Sequence, residues 1–142
     1  MLQNNVRLGS IKLLVKGNPH AVQSPDSSGT LPLHIACQHH DSADVVRYLV
    51  ELDRETLDFP DETGNTVLHY ACRGAKYDTI ELLEKYDAVS VSKRNDLGKL
   101  PIDLLLESNA VEDRESPKHV DTVFQLLRAY PEMVTISNLT LN

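Results

Sequence analysis

Apolar residues in this chain gather in short clusters between polar turns, and the clusters come in pairs. Val45, Val46, Leu49 and Val50 recur at i, i+3 and i+4, the spacing of a helix buried along one side. Ile80, Leu82 and Leu83 repeat the pattern, as do Val120, Val123, Phe124, Leu126 and Leu127. A shorter helix is predicted before each, over residues 32–39, 67–74 and 101–108. Pro32 and Pro101 suit a first helical turn, where a backbone N–H would go unpaired, and Thr66 suits an N-cap. Polar turns lead into the short helices: Asp26-Ser27-Ser28-Gly29, Asp61-Glu62-Thr63-Gly64 and Asn95-Asp96-Leu97-Gly98. In each, the Asp or Asn side chain can bond its own downstream backbone, and the glycine can take positive φ. An extended apolar position is expected seven residues before the next glycine, at Val22, Leu57 and Val91. Leu8, Ile11, Leu14 and Val15 share one helix face, so residues 10–16 read as the second helix of a leading half unit.

The order of residues repeats as well as their polarity. Asp26, Gly29, Pro32, Leu33, His34, Ala36 and Cys37 return 35 positions later as Asp61, Gly64, Val67, Leu68, His69, Ala71 and Cys72. A weaker third copy stands 34 positions further on, at Asn95, Gly98, Pro101, Ile102, Asp103, Leu104 and Leu105. A period in the thirties marks a solenoid of stacked units. The chain is therefore read as one array over 1–142: a half unit at about 5–25, repeats at 26–60, 61–94 and 95–134, and an unfinished loop at 135–142. The third unit carries about ten extra residues near 108–118, rich in charge and holding Pro117, expected as a mobile surface loop.

Charge narrows the function. Fourteen Lys and Arg against 21 Asp and Glu leave a formal charge of −7. That balance opposes nucleic-acid backbones and anionic membrane surfaces as partners. Two cysteines do not make a disulfide-stapled secreted domain, and no apolar run approaches the roughly 20 residues of a membrane span. An intracellular, cytoplasmic monomer is the expectation. The basic N-terminus, with Arg7, Lys12 and Lys16 and no acidic residue before Asp26, also fits a transit peptide, but the repeat register accounts for the same helix.

Leu31-Pro32-Leu33-His34-Ile35-Ala36-Cys37 and Thr66-Val67-Leu68-His69-Tyr70-Ala71-Cys72, each after a glycine turn and before a Val/Leu helix, resemble the ankyrin repeat. The resemblance covers about residues 8–134. It implies an all-α repeat solenoid of helix-turn-helix pairs with β-hairpin loops, and a non-catalytic scaffold that binds another protein. This chain departs from the family at Leu31 and Val67, and in unit three at Leu100, Asp103 and Leu104-Leu105-Leu106. The leucines replace small residues, so unit three is expected to stack less closely.

Single residues suggest other chemistry. His34-x-x-Cys37 and His69-x-x-Cys72 supply four soft ligands, and His39 and His40 stand near the first pair. A metal-binding protein built on these pairs is the alternative function; a targeting fragment of a larger enzyme is another. Tetrahedral zinc needs ligands within about 4 Å of one another, while neighbouring helix axes lie roughly 8–10 Å apart. The histidines are therefore read as bonding loop backbone and the cysteines as small buried hydrophobes, with Gly29, Gly64 and Gly98 equally structural and no cofactor required. No nucleophile–base–orienter set or phosphate-cradling loop is recognisable. Carried over position by position, the resemblance implies a partner surface of Ser27, Ser28, Thr30, Gln38 and His39 from unit one, and Glu62, Thr63, Asn65 and Arg73 from unit two. Unit three adds Asp96, Leu97, Lys99 and Glu107. Arg73, Leu97 and His39 are its expected anchors.

Overall fold

The computed structural model describes residues 16–39 and 43–129. Among them lie six bounded α-helices: α1 Pro32–His39, α2 Ala43–Leu52, α3 Val67–Arg73, α4 Tyr77–Tyr86, α5 Pro101–Glu107 and α6 Pro117–Ala129. The first helices stack in one row, α1 on α3 on α5, and the second helices in another, α2 on α4 on α6. This is an all-α repeat solenoid. Its core runs between the rows, through Leu33, Val46, Leu49, Leu68, Ile80, Leu83, Ile102, Leu105 and Leu126. Each unit buries its apolar stripes both between its own two helices and against neighbouring units, which is why the core is continuous.

The first helices begin by one device. The backbone N–H of Leu31 donates to His34 Nδ1 at 3.0 Å, that of Thr66 to His69 Nδ1 at 3.1 Å, and that of Leu100 to Asp103 Oδ2 at 2.8 Å. The third residue of each helix thus satisfies the cap N–H. α3 ends in a Schellman turn, with Ala75 N–H donating to Cys72 O and Lys76 N–H to Ala71 O. Ala75 takes the left-handed conformation there, at φ 51°. Gly74 beside it serves a different need: a Cβ on it would lie 2.2 Å from the Gln38 carbonyl oxygen.

Several expectations change. Val22, Leu57 and Val91 are buried, but in 3-10 turns over Pro19–Gln23, Arg54–Asp58 and Ala88–Ser92 rather than in extended chain. Asp53 and Asp87 cause two of these turns, because their side chains accept the N–H of Glu55 and Val89. Leu49 is matched in α4 by the buried Leu83, and each stands four residues before its Asp cap. The insert is anchored rather than free. Arg114 donates to Leu106 O and Ser108 O, both at 2.8 Å, and Ser108 Oγ donates to Arg73 O. The arginine thereby occupies carbonyls that α5 leaves unpaired at its C-terminal end. In α6 only Leu126 of the predicted apolar face is buried, while Val120 and Phe124 are exposed, since no further helical pair among the described residues covers them. The unfinished loop at 135–142 and most of the half unit at 5–25 lie outside the described residues.

Candidate protein-binding surface

The polar turns form three fingers in register. Asp26 Oδ1 accepts the N–H of Ser28 and Thr30, Asp61 Oδ1 those of Thr63 and Asn65, and Asn95 Oδ1 those of Leu97 and Lys99. Gly29, Gly64 and Gly98 carry φ of 73°, 79° and 77°, conformations that a side chain would strain. The fingers are closed turns, and no strand occurs among the described residues. One backbone bond joins each finger to the next: Glu62 N–H to Ser28 O at 3.1 Å and Asp96 N–H to Thr63 O at 2.9 Å.

The histidines lock the fingers to the helices. With Nδ1 accepting a backbone N–H, the ring proton sits on Nε2. His34 Nε2 donates to Phe59 O and His69 Nε2 to Lys99 O, each at 2.9 Å, so each ring ties its own unit to the next finger. Both nitrogens of each ring are used. Among the described residues no group of three or more His, Cys, Asp or Glu is placed to hold a metal ion, and His40 lies outside them. Cys37 and Cys72 are free and fully buried, and burial pushes both thiols far above their usual range. Such thiols are poor nucleophiles.

Two predicted surface residues belong to the interior. Thr30 and Asn65 are buried between fingers. Thr30 Oγ1 lies 3.3 Å from Tyr70 Oη, and Asn65 Oδ1 accepts Asn95 Nδ2 at 2.8 Å. They hold neighbouring units together. Ser27, Ser28, Glu62, Thr63, Asp96 and Leu97 are exposed at the tips, Leu97 at 80 %. His39 and Arg73 are exposed at the ends of α1 and α3, while Gln38 is half-buried.

A sequence reading had no signal for what stands behind Arg73. Its guanidinium lies over the Tyr70 ring, 5.3 Å from the centroid, a cation–π contact. Tyr70 is itself held, donating to Asp61 Oδ2 and packing on the His34 ring at 4.9 Å. Burial opposes ionisation of Asp61, but the Tyr70 hydroxyl and the finger N–H donors prevail and hold this carboxyl below the usual range. Arg73 borders an open groove of about 310 Å³ with Leu104, Glu107, Ser108, Asn109 and Ala110. Glu107 leads from that groove to Lys99, which donates to it at 2.6 Å. The tips and the groove together present an apolar tip, a cation on a rigid ring and several carboxylates.

No helix among the described residues is long and apolar enough to cross a membrane. Comparison with curated proteins finds none that matches the chain. The family model described as ankyrin repeats (3 copies) matches residues 2–95, which ends at the first residue of the third unit. Proteins built of these repeats generally mediate protein–protein interaction. Finger geometry, paired helices and the matched residues agree, and the chain belongs to the ankyrin-repeat family.

Proposed function

We propose that this chain is a non-catalytic module that binds another protein across its fingertips and the exposed ends of its first helices. The observation that carries this reading is Arg73, a cation presented on the Tyr70 ring beside an open groove, with Leu97 standing free on the neighbouring finger. Both sit on a frame fixed by finger-to-finger bonds, so little ordering entropy is lost on docking. Ser27, Ser28, His39, Glu62, Thr63, Asp96, Lys99 and Glu107 complete the surface, with Gln38 at its margin. Glu62 and Asp96 at the tips favour a partner segment that carries Lys or Arg. The chain acts as a monomer, without metal or cofactor, and its two free thiols suit a reducing intracellular compartment.

The test is quantitative capture of partners by the wild type and by the combined variant Arg73→Ala, Leu97→Ser, Glu107→Ala. The reading predicts at least about tenfold lower recovery of the main partner, since anchor residues each contribute about 1 kcal/mol or more. Equal recovery, with the variant's circular dichroism unchanged, contradicts this surface.

A further inference from the structure

Two unit boundaries that share one architecture differ in a single respect. At the first, Gln23, Leu31, Asp53, Glu55, Thr56 and Phe59 line a groove of about 280 Å³. None of them lines the groove beside Arg73. Asp53 Oδ2 accepts Gln23 Nε2, and its Oδ1 accepts the N–H of Glu55, so this carboxylate is fixed between the two 3-10 turns. Phe59 is 52 % exposed, and its carbonyl accepts His34 Nε2, so the ring stands on a fixed backbone. One repeat later, Asp58, Asp87, Val89, Ser90 and Lys93 stand at the positions of Gln23, Asp53, Glu55, Thr56 and Phe59. There Lys93 Nζ donates to Asp58 Oδ1 at 3.2 Å, which sets a cation beside the carboxylates of that boundary.

We propose that the groove at the first boundary takes a basic side chain, lysine or arginine, from a partner protein, at a site separate from the fingertip surface. The repeat supplies the precedent. Where the second boundary carries its own cation in Lys93, the first has Phe59, and it has the carboxylate of Glu55 in place of Val89. Its lining thus holds two carboxylates and no cation among the described residues. Arg54, the cation beside them in sequence, is engaged on the Tyr86 ring, 5.2 Å from the centroid. An ammonium or guanidinium entering the groove meets what Lys93 meets one repeat later, a carboxylate at the junction of two units. It also meets an aromatic face, which attracts cations through the ring quadrupole. An anionic segment is repelled by Asp53 and Glu55. An uncharged apolar segment fits only the Phe59 ring and leaves both carboxylates to be desolvated without a partner.

The test is an amide chemical-shift titration of the full chain, labelled with nitrogen-15, with the peptide acetyl-Gly-Arg-Gly-amide and with its uncharged citrulline counterpart. The arginine peptide should shift the amides of Glu55, Thr56 and Phe59 saturably, and the citrulline peptide should not. Phe59→Ala keeps the carbonyl that His34 bonds, and it should weaken binding about twofold to fivefold, the worth of an exposed cation–π contact. Gln23→Asp with Phe59→Lys copies the Asp58–Lys93 pair into the groove and should abolish the response. Equal shifts with both peptides, arginine shifts that spread over exposed carboxylates without saturating at these amides, or full binding by Phe59→Ala overturn the proposal.

Discussion

His69 accepts a backbone N–H on one nitrogen and donates to the next finger through the other, so both sides depend on a neutral ring. Burial is the main cause that lowers His34 and His69 below the 6.5 of an exposed imidazole; the bonds to Phe59 and Lys99 carbonyls work the other way, less strongly. The unfolded chain therefore takes up protons first as pH falls. Stability owed to these rings is complete above pH 6.5 and declines below it. Glu84 runs in the opposite direction. It stands in α4 where Val50 stands in α2, and its Oε1 is buried with no hydrogen-bond partner among the described residues. Burial, then the charge of Glu81, push this carboxyl up from 4.5 to about 7. The folded state holds that proton longer than the unfolded one, so stability is lost as pH rises from 4.5 to about 7. Glu84→Gln should raise stability by about 1–3 kcal/mol above that range. The gain should vanish at acid pH, and urea titrations across pH read both limbs. Glu84 was not legible in the sequence as a buried group, because a lone acid on a helix is usually solvated.

At the scale of elements, the short helices were legible because their cap residues recur, and Asp103 shows the limit of that signal. It replaces histidine yet keeps the cap bond to Leu100 N–H, while the reach to a further finger is given up. The 3-10 turns were not legible from apolar spacing; they come from Asp53 and Asp87, whose side chains fold the following residues. Arg114 likewise turned a segment that composition marks as loose into one bonded to α5. The turn after α3 separates two kinds of small residue. Gly74→Ala should destabilise by about 1–3 kcal/mol, the usual cost of overpacking, because its Cβ meets the Gln38 carbonyl. Ala75→Gly should stabilise by about 1 kcal/mol by removing the strain of positive φ. Thermal melts of the two variants should move in opposite directions.

For the whole molecule, the doubled block assigns two jobs to interleaved positions. His34, His69, Thr30 and Asn65 face inward and join units. Ser28, Glu62, Asp96, Leu97 and Arg73 face out on the frame so made. The repeat showed which residues recur, and so the fold; it placed Thr30 and Asn65 outside because finger turns are usually solvated, whereas these fingers stack tightly enough to bury them. The groove beside Arg73 depends on Ser108, Asn109 and Ala110, which lie at the start of an insert that no repeat register predicts. Because stability in a solenoid is carried by unit interfaces, the two jobs separate in one measurement: the urea midpoint of His69→Ala beside that of the combined Arg73→Ala, Leu97→Ser, Glu107→Ala variant. This division of labour predicts a loss of about 1–3 kcal/mol for His69→Ala and less than about 0.5 kcal/mol per surface substitution in the combined variant. An unchanged midpoint for His69→Ala, or a larger loss in the surface variant, contradicts it.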